Sequence, residues 1–123
     1  MDKVSTISKI EVVRFETTYD NGTLDFHTEN VRALCKAFSF NFKIIDQYLE
    51  GADVRRYYEI YISTSSFLFE DCRHVIKTFI LTCGMSLMYT KMIEMDDDDF
   101  LNMPEETFEV ENLIIYTPKK KTT

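Results

Sequence analysis

Glu70–Gly84, EDCRHVIKTFILTCG, is the stretch on which the fold turns, because its residues admit two readings. Cys72, Val75, Ile76, Phe79 and Cys83 fit a helical stripe, with Gly84 placed as the left-handed residue that ends a helix. The same segment is dense in Val, Ile, Thr and Phe from Val75 to Thr82, and propensity prefers a strand there. In the strand reading, Phe67–Phe69 and His74–Thr82 form two strands joined by the polar turn Glu70–Arg73. The chain then doubles back and returns Cys83 towards Ser65, and Met85–Met95 becomes a helix with Met85, Met88, Met92 and Met95 on one side. In the helix reading, Met85–Met95 becomes a strand.

Upstream, Arg56–Ser63 alternates in strand fashion, with Tyr57, Glu59, Tyr61 and Ser63 opposite Tyr58, Ile60 and Ile62. Phe38, Phe40, Phe42 and Ile44 also alternate with polar residues and predict a strand over Phe38–Ile45, connected through Gln47–Val54. Thr28 can cap a helix that carries Glu29 in its first turn and Val31, Leu34, Cys35 and Phe38 on one face. Asn21-Gly22 is a two-residue hairpin signal, since both residues tolerate the positive φ of a type I′ turn. It predicts strands over Ile10–Asp20 and Thr23–His27, with Val13, Phe15, Tyr19, Leu24 and Phe26 towards the core and Arg14, Asp25 and His27 on the other side. Downstream, Asp96–Glu106 reads as a solvated acidic loop and Phe108–Thr117 as a last strand stopped by Pro118. The expected fold class is α+β, a mostly antiparallel sheet with two helices packed on one face. Residues 1–118 are expected to form a single domain and residues 119–123 a basic disordered tail.

A chain of 123 residues can bury a core without disulfides or metal. Its net charge of −7 argues against binding a nucleic-acid backbone, which requires clustered Lys and Arg. Nine acidic residues and no basic one lie between Met92 and Asn112; such a surface can attract a cationic small molecule or a basic protein, and equally can serve only to keep an apolar domain soluble, the usual case. Three cysteines, an odd number without framework spacing, point to reduced thiols and a cytoplasmic protein. Met1–Ser8 has no apolar leader core, and no run reaches the roughly 20 apolar residues that span a bilayer. Two histidines and three cysteines show no zinc spacing, and Asp96–Asp99 lacks the pattern that orders ligands round calcium, so no metal is expected. There is no glycine-rich phosphate cradle and no nucleophile elbow.

Several pieces occur in a familiar order. Lys9-Ile10-Glu11-Val12 is followed by a helix with Leu34 and Lys36, and a Tyr-rich strand runs into Ser63-Thr64-Ser65-Ser66-Phe67. Thr82-Cys83-Gly84, Leu87, Lys91 and a late Tyr116 follow. In this order the chain resembles the first half of the eukaryotic-type S-adenosylmethionine decarboxylase proenzyme, a pyruvoyl-dependent αββα enzyme of polyamine synthesis. The resemblance implies self-cleavage before Ser65, with Ser66 next to it, a pyruvoyl group made from Ser65 as the sole cofactor, and Cys83 as proton donor. Such a carbonyl forms a Schiff base with the substrate amine and accepts the electrons left by carbon dioxide. Glu11 matches a strand carboxylate of the family's polyamine-responsive cluster. Thr64 stands where the family has glutamate and Leu81 where it has lysine, so a degenerate or regulatory domain fits the pattern as well as an enzyme does.

The alternative is a non-catalytic interaction module. Phe38–Ile45 and Arg56–Ile62 carry apolar or aromatic groups on both faces, which suggests an exposed sheet face for another sheet or subunit. Asp96, Asp97, Asp98 and Asp99 would contact the partner, in a homodimer or with a different protein.

Overall fold

The computed structural model describes residues 6–17, 21–48 and 54–111. In chain order the elements are β1 (Ile7–Glu16), α1 (Asn21–Phe38), β2 (Asn41–Tyr48), β3 (Val54–Ser63), α2 (Phe69–Thr82), β4 (Ser86–Asp96), α3 (Asp97–Leu101) and β5 (Glu106–Val110). The strands form one sheet in the order β4-β1-β3-β2-β5. Neighbours are antiparallel except β5, which runs parallel to β2. The first six elements, βαββαβ with spatial order 4-1-3-2, make the split βαβ arrangement of ferredoxin-like domains. The fold is α+β, as the element order predicts.

Register explains the core. Val13 lies opposite Ile60 and Phe15 opposite Tyr58, while Phe42 and Ile44 face the same two β3 residues from the other side. Side chains directly opposite across an antiparallel pair share a face, and this face packs against Val31 and Cys35 of α1 and Ile76 and Ile80 of α2. The other face holds Ile10, Val12 and Tyr61, joined by Ile93, Met95, Met103 and Phe100 of α3.

The segment that decides the fold is a helix. Ile76 and Ile80, one turn apart, are its two buried residues, and Phe69, Cys72, Phe79 and Cys83 pack partly against the same cluster. After the cap Cys83, Gly84 takes φ +70°. Its N–H donates to Leu81 O at 3.2 Å, and the Met85 N–H donates to Ile80 O at 3.0 Å. These two bonds satisfy carbonyls that the helix leaves open, in the Schellman pattern. The expected strands Phe67–Phe69 and His74–Thr82 are therefore absent, and Met85–Met95 supplies β4 rather than a helix. Propensity lost to burial: an amphipathic stripe on the sheet outweighs the sub-kilocalorie preference of single Val, Ile and Thr residues.

Two further expectations are corrected in the same way. Asn21-Gly22 opens α1 instead of turning a hairpin, so Thr23–His27 is helical. Leu24, Thr28, Val31 and Cys35 continue one stripe, and all four are buried. Phe26, expected in the core, is exposed, whereas His27, expected on the polar side, is buried. Thr28 lies inside the helix rather than at its cap, where its hydroxyl donates to Leu24 O at 2.8 Å. β2 begins at Asn41 rather than Phe38, because Ser39 adopts φ 58° and the Phe40 N–H returns to Cys35 O at 2.9 Å. That ending needs a left-handed residue, and a serine there does not announce it as glycine would. The end of the expected strand Phe108–Thr117 lies outside the described residues beyond Glu111, as do Tyr19 and the tail 119–123.

The interface between α1 and the sheet carries a polar network. Arg56 grips Asp46 with two bonds, Nε to Oδ1 at 2.6 Å and Nη2 to Oδ2 at 2.8 Å. Its Nη1 donates to Thr28 Oγ1 at 2.9 Å. Since the Thr28 proton goes to Leu24, the Tyr58 hydroxyl, 2.7 Å away, must donate to Thr28.

Candidate functional site

Ser65 and Ser66 lie in the turn between β3 and α2. The Ser65 N–H donates to Ser63 Oγ at 3.3 Å, and the Ser63 and Ser65 hydroxyls lie 2.9 Å apart. Ser66 Oγ accepts the Leu68 N–H at 3.2 Å, and Thr64 is tied to Lys9 O by both its N–H and its hydroxyl. Cys83 is the C-cap of α2. The serines and this thiol thus stand at opposite ends of a 14-residue helix, whose rise of about 1.5 Å per residue separates them by roughly 20 Å. The structure does not bring them together, because the segment between them is a helix rather than a hairpin.

The thiol beside the serines is Cys72, one turn into α2. It lines a cavity of about 190 Å³ with Ser63, Ser66, Tyr61, Phe69 and Phe100. Burial, and then the charge of Asp71, push its pKa up, so it stays a protonated and weak nucleophile at neutral pH. Helical spacing from Phe69 was the signal that could have placed it.

Glu11 is buried beneath α2, where it accepts Arg73 Nε at 2.8 Å, and Arg73 Nη1 reaches Glu70 at 3.1 Å. The hydrogen bond to Glu11 is the largest cause that raises the Arg73 pKa. The protein's own guanidinium occupies the place that the resemblance assigns to a polyamine. A larger cleft of about 430 Å³ lies between the end of α1 and the start of β5, lined by Arg32, Lys36, Glu105 and Glu106 among others. Arg32 and Glu106 neutralise each other there at 2.9 Å.

The acidic run is not an open loop. Asp96 caps α3 by accepting the Asp98 N–H at 2.9 Å, the Asp97 N–H donates to Thr6 O at 2.8 Å, and Ser8 donates to the Asp97 carboxylate. Asp98 and Asp99 are exposed at the end of β4. Among the described residues, no group of three His, Cys, Asp or Glu is arranged to hold a metal ion, and no helix is long and apolar enough to cross a membrane.

The expected apolar face on β2 and β3 is not open. Phe42, Ile44, Tyr58, Ile60 and Ile62 lie in the core beneath the helices, and Ile45, Tyr57 and Tyr61 on the opposite face are buried too. Both strands are apolar on two faces because both faces are covered. Exposed apolar side chains stand instead at the sheet's edges: on β4 Leu87 is 46% exposed, Met88 45% and Met92 52%, with Leu81 of α2 at 78% beside Leu87, and on β5 Phe108 and Val110 are exposed as well. Leu81, Leu87, Ile80 and Lys77 line a groove of about 170 Å³. Methionines at 85, 88, 92 and 95, spaced as on a helix, hide this strand in the sequence. No family model, no curated protein and no solved structure matches the chain.

The buried acids of the core set an alkaline limit. Burial, reinforced by the charge of Glu106, raises Cys35 to about 12, and burial likewise raises Tyr58 and Tyr61. The native state therefore keeps protons that the unfolded chain has released, and stability must fall as pH rises above the unfolded thiol and phenol values near 8.5 and 10. Denaturant midpoints are expected to hold from pH 7 to 8 and to drop steadily from pH 9 to 11. A flat profile across that window would contradict the burial of these groups.

Proposed function

We propose that the protein is a non-catalytic docking module that engages a protein partner along the outer edge of β4. The observation that carries this reading is an 11-residue edge strand with Leu87, Met88 and Met92 exposed and Leu81 next to them. An edge strand presents unpaired N–H and C=O groups, and a partner strand added there gains main-chain bonds as well as apolar contacts. Large exposed apolar side chains grouped on such an edge are what a docking surface requires. The decarboxylase reading needs its acid beside the carbonyl made from Ser65, and the length of α2 stands between Ser65 and Cys83.

A photocrosslinking residue at position 92, in the full chain expressed in its own cells, tests this. We expect a discrete protein adduct that Leu87→Lys reduces at least fivefold, with none from the same group at the exposed position 36 on α1. Equal adducts from positions 92 and 36, or none from either, would overturn the reading.

A further inference from the structure

We infer that the partner seated on β4 is a second copy of this chain, paired antiparallel to β4 about a two-fold axis at Met92, so that the two sheets join into one of ten strands. This rests on the docking reading above and names its occupant. Three observations support it. The first is register. A two-fold axis normal to the sheet keeps each face continuous, so only residues on the same face can lie opposite each other. Arg14 pairs with Tyr89 and Phe15 with Leu87, which makes Met88 an extra, bulged residue and leaves Tyr89–Asp96 as the regular run. An axis at Lys91 would set two ammonium groups against each other. An axis at Met92 sets Met92 on its own copy, Lys91 beside the partner's Ile93 and Tyr89 beside the partner's Met95, with no like charges opposed.

The second is charge complementarity. β4 runs into acid at its C-terminal end, where Glu94 precedes the exposed Asp98 and Asp99. Its N-terminal end has no acid, and Lys77 of α2 stands there beside Leu87 in the apolar groove. Antiparallel pairing sets the acidic end of each copy against the Lys77 end of the other, whereas parallel pairing would put acid on acid. The charges therefore fix the direction in which two copies can meet. The third is the apolar row. Met92 and Leu87 share the helix side of the sheet, since their β1 partners Glu11 and Phe15 are two steps of two residues apart on that face. With Leu81 beside Leu87, each copy brings three such side chains to that face of the seam, where Met92 meets Met92 and Thr90 stands between it and Leu87.

Sedimentation equilibrium of the purified full chain tests the inference. We expect twice the chain mass at micromolar concentration. Met92→Lys, at a half-exposed position and with its circular dichroism unchanged, should raise the dissociation constant at least tenfold. Glu94→Lys and Lys77→Glu should each weaken the dimer about tenfold, and together should restore it to within about threefold of the original. A single-chain mass up to about 100 μM, or a dimer indifferent to Met92→Lys, would overturn the inference. If a monomer of this kind still forms the position-92 adduct with another protein in cells, the second copy fails while edge docking stands. Loss of both results removes both.

Discussion

Asp46→Ala is expected to destabilise the protein by about 3 kcal/mol, one of the largest effects available from a single polar substitution. The carboxylate is buried, and among the described residues it takes two of the three hydrogen bonds that hold the Arg56 guanidinium; the third goes to Thr28 on α1. Truncation leaves a cation under the helix whose one remaining side-chain hydrogen bond among the described residues is to that neutral hydroxyl, with the Asp25 charge nearby. The Arg56 side chain keeps some access to water, at 17% exposure, so the cost falls at the lower end of the range for broken buried pairs, roughly 3–5 kcal/mol. Because α1 is linked to the sheet through the same guanidinium, Thr28 and Tyr58 lose alignment as well. The double change Asp46→Leu with Arg56→Leu removes both charges and is expected to cost less than Asp46→Ala alone. Urea midpoints of the three proteins check this: a single mutant within about 1 kcal/mol of the parent would show that the pair does not tie α1 to the sheet.

The sequence shows where periodicity and burial agree. β3 is read to within two residues, since Arg56–Ser63 alternates as the strand Val54–Ser63 does, and the α+β class follows from such segments. The second half of α1 is equally plain, because Val31, Leu34 and Cys35 meet the sheet at helical spacing. Errors cluster where a local signal competes with a tertiary one. Asn21-Gly22 is the best of hairpin turns, yet the four-residue stripe from Leu24 to Cys35 buries more against the sheet than a short hairpin strand could. Ser39 closes a helix in a conformation that glycine would have advertised, so the α1 to β2 boundary slipped by three residues. Asp96–Asp99 looks solvated by composition, but its first member is a helix cap, and Phe100 anchors the turn on Ile10, Val12 and Tyr61. The candidate site depended on one choice, helix or strand for residues 70–83. Taking it as a strand joined Ser65 to Cys83 and concealed the edge of β4 inside an expected helix.

The same choice yields the second prediction. Ile80→Ala is expected to cost about 3 kcal/mol, from lost transfer energy and the cavity left between α2 and the sheet. Leu81→Ala, one residue on, should change stability by less than about 0.5 kcal/mol, because that side chain faces solvent. Read as a helix, residues 72, 76, 79, 80 and 83 are the sensitive positions, and 78, 81 and 82 are silent. Read as a strand, Thr78 and Thr82 would share the face of Ile80, and sensitivity would alternate. An alanine scan from Cys72 to Cys83, followed by urea unfolding at concentrations low enough to keep the chain monomeric, separates the two periods directly. The Ile76→Ala, Ile80→Ala pair should remove about 5 kcal/mol or more, the whole stability of many domains of this size, and leave the chain unfolded at 25 °C. Retention of a cooperative transition in that double mutant would mean that α2 is not what closes the core. Leu81→Ala has its effect elsewhere: silent in the folding of one chain, it should weaken whatever occupies the β4 edge, which separates the residues that build this fold from those it presents.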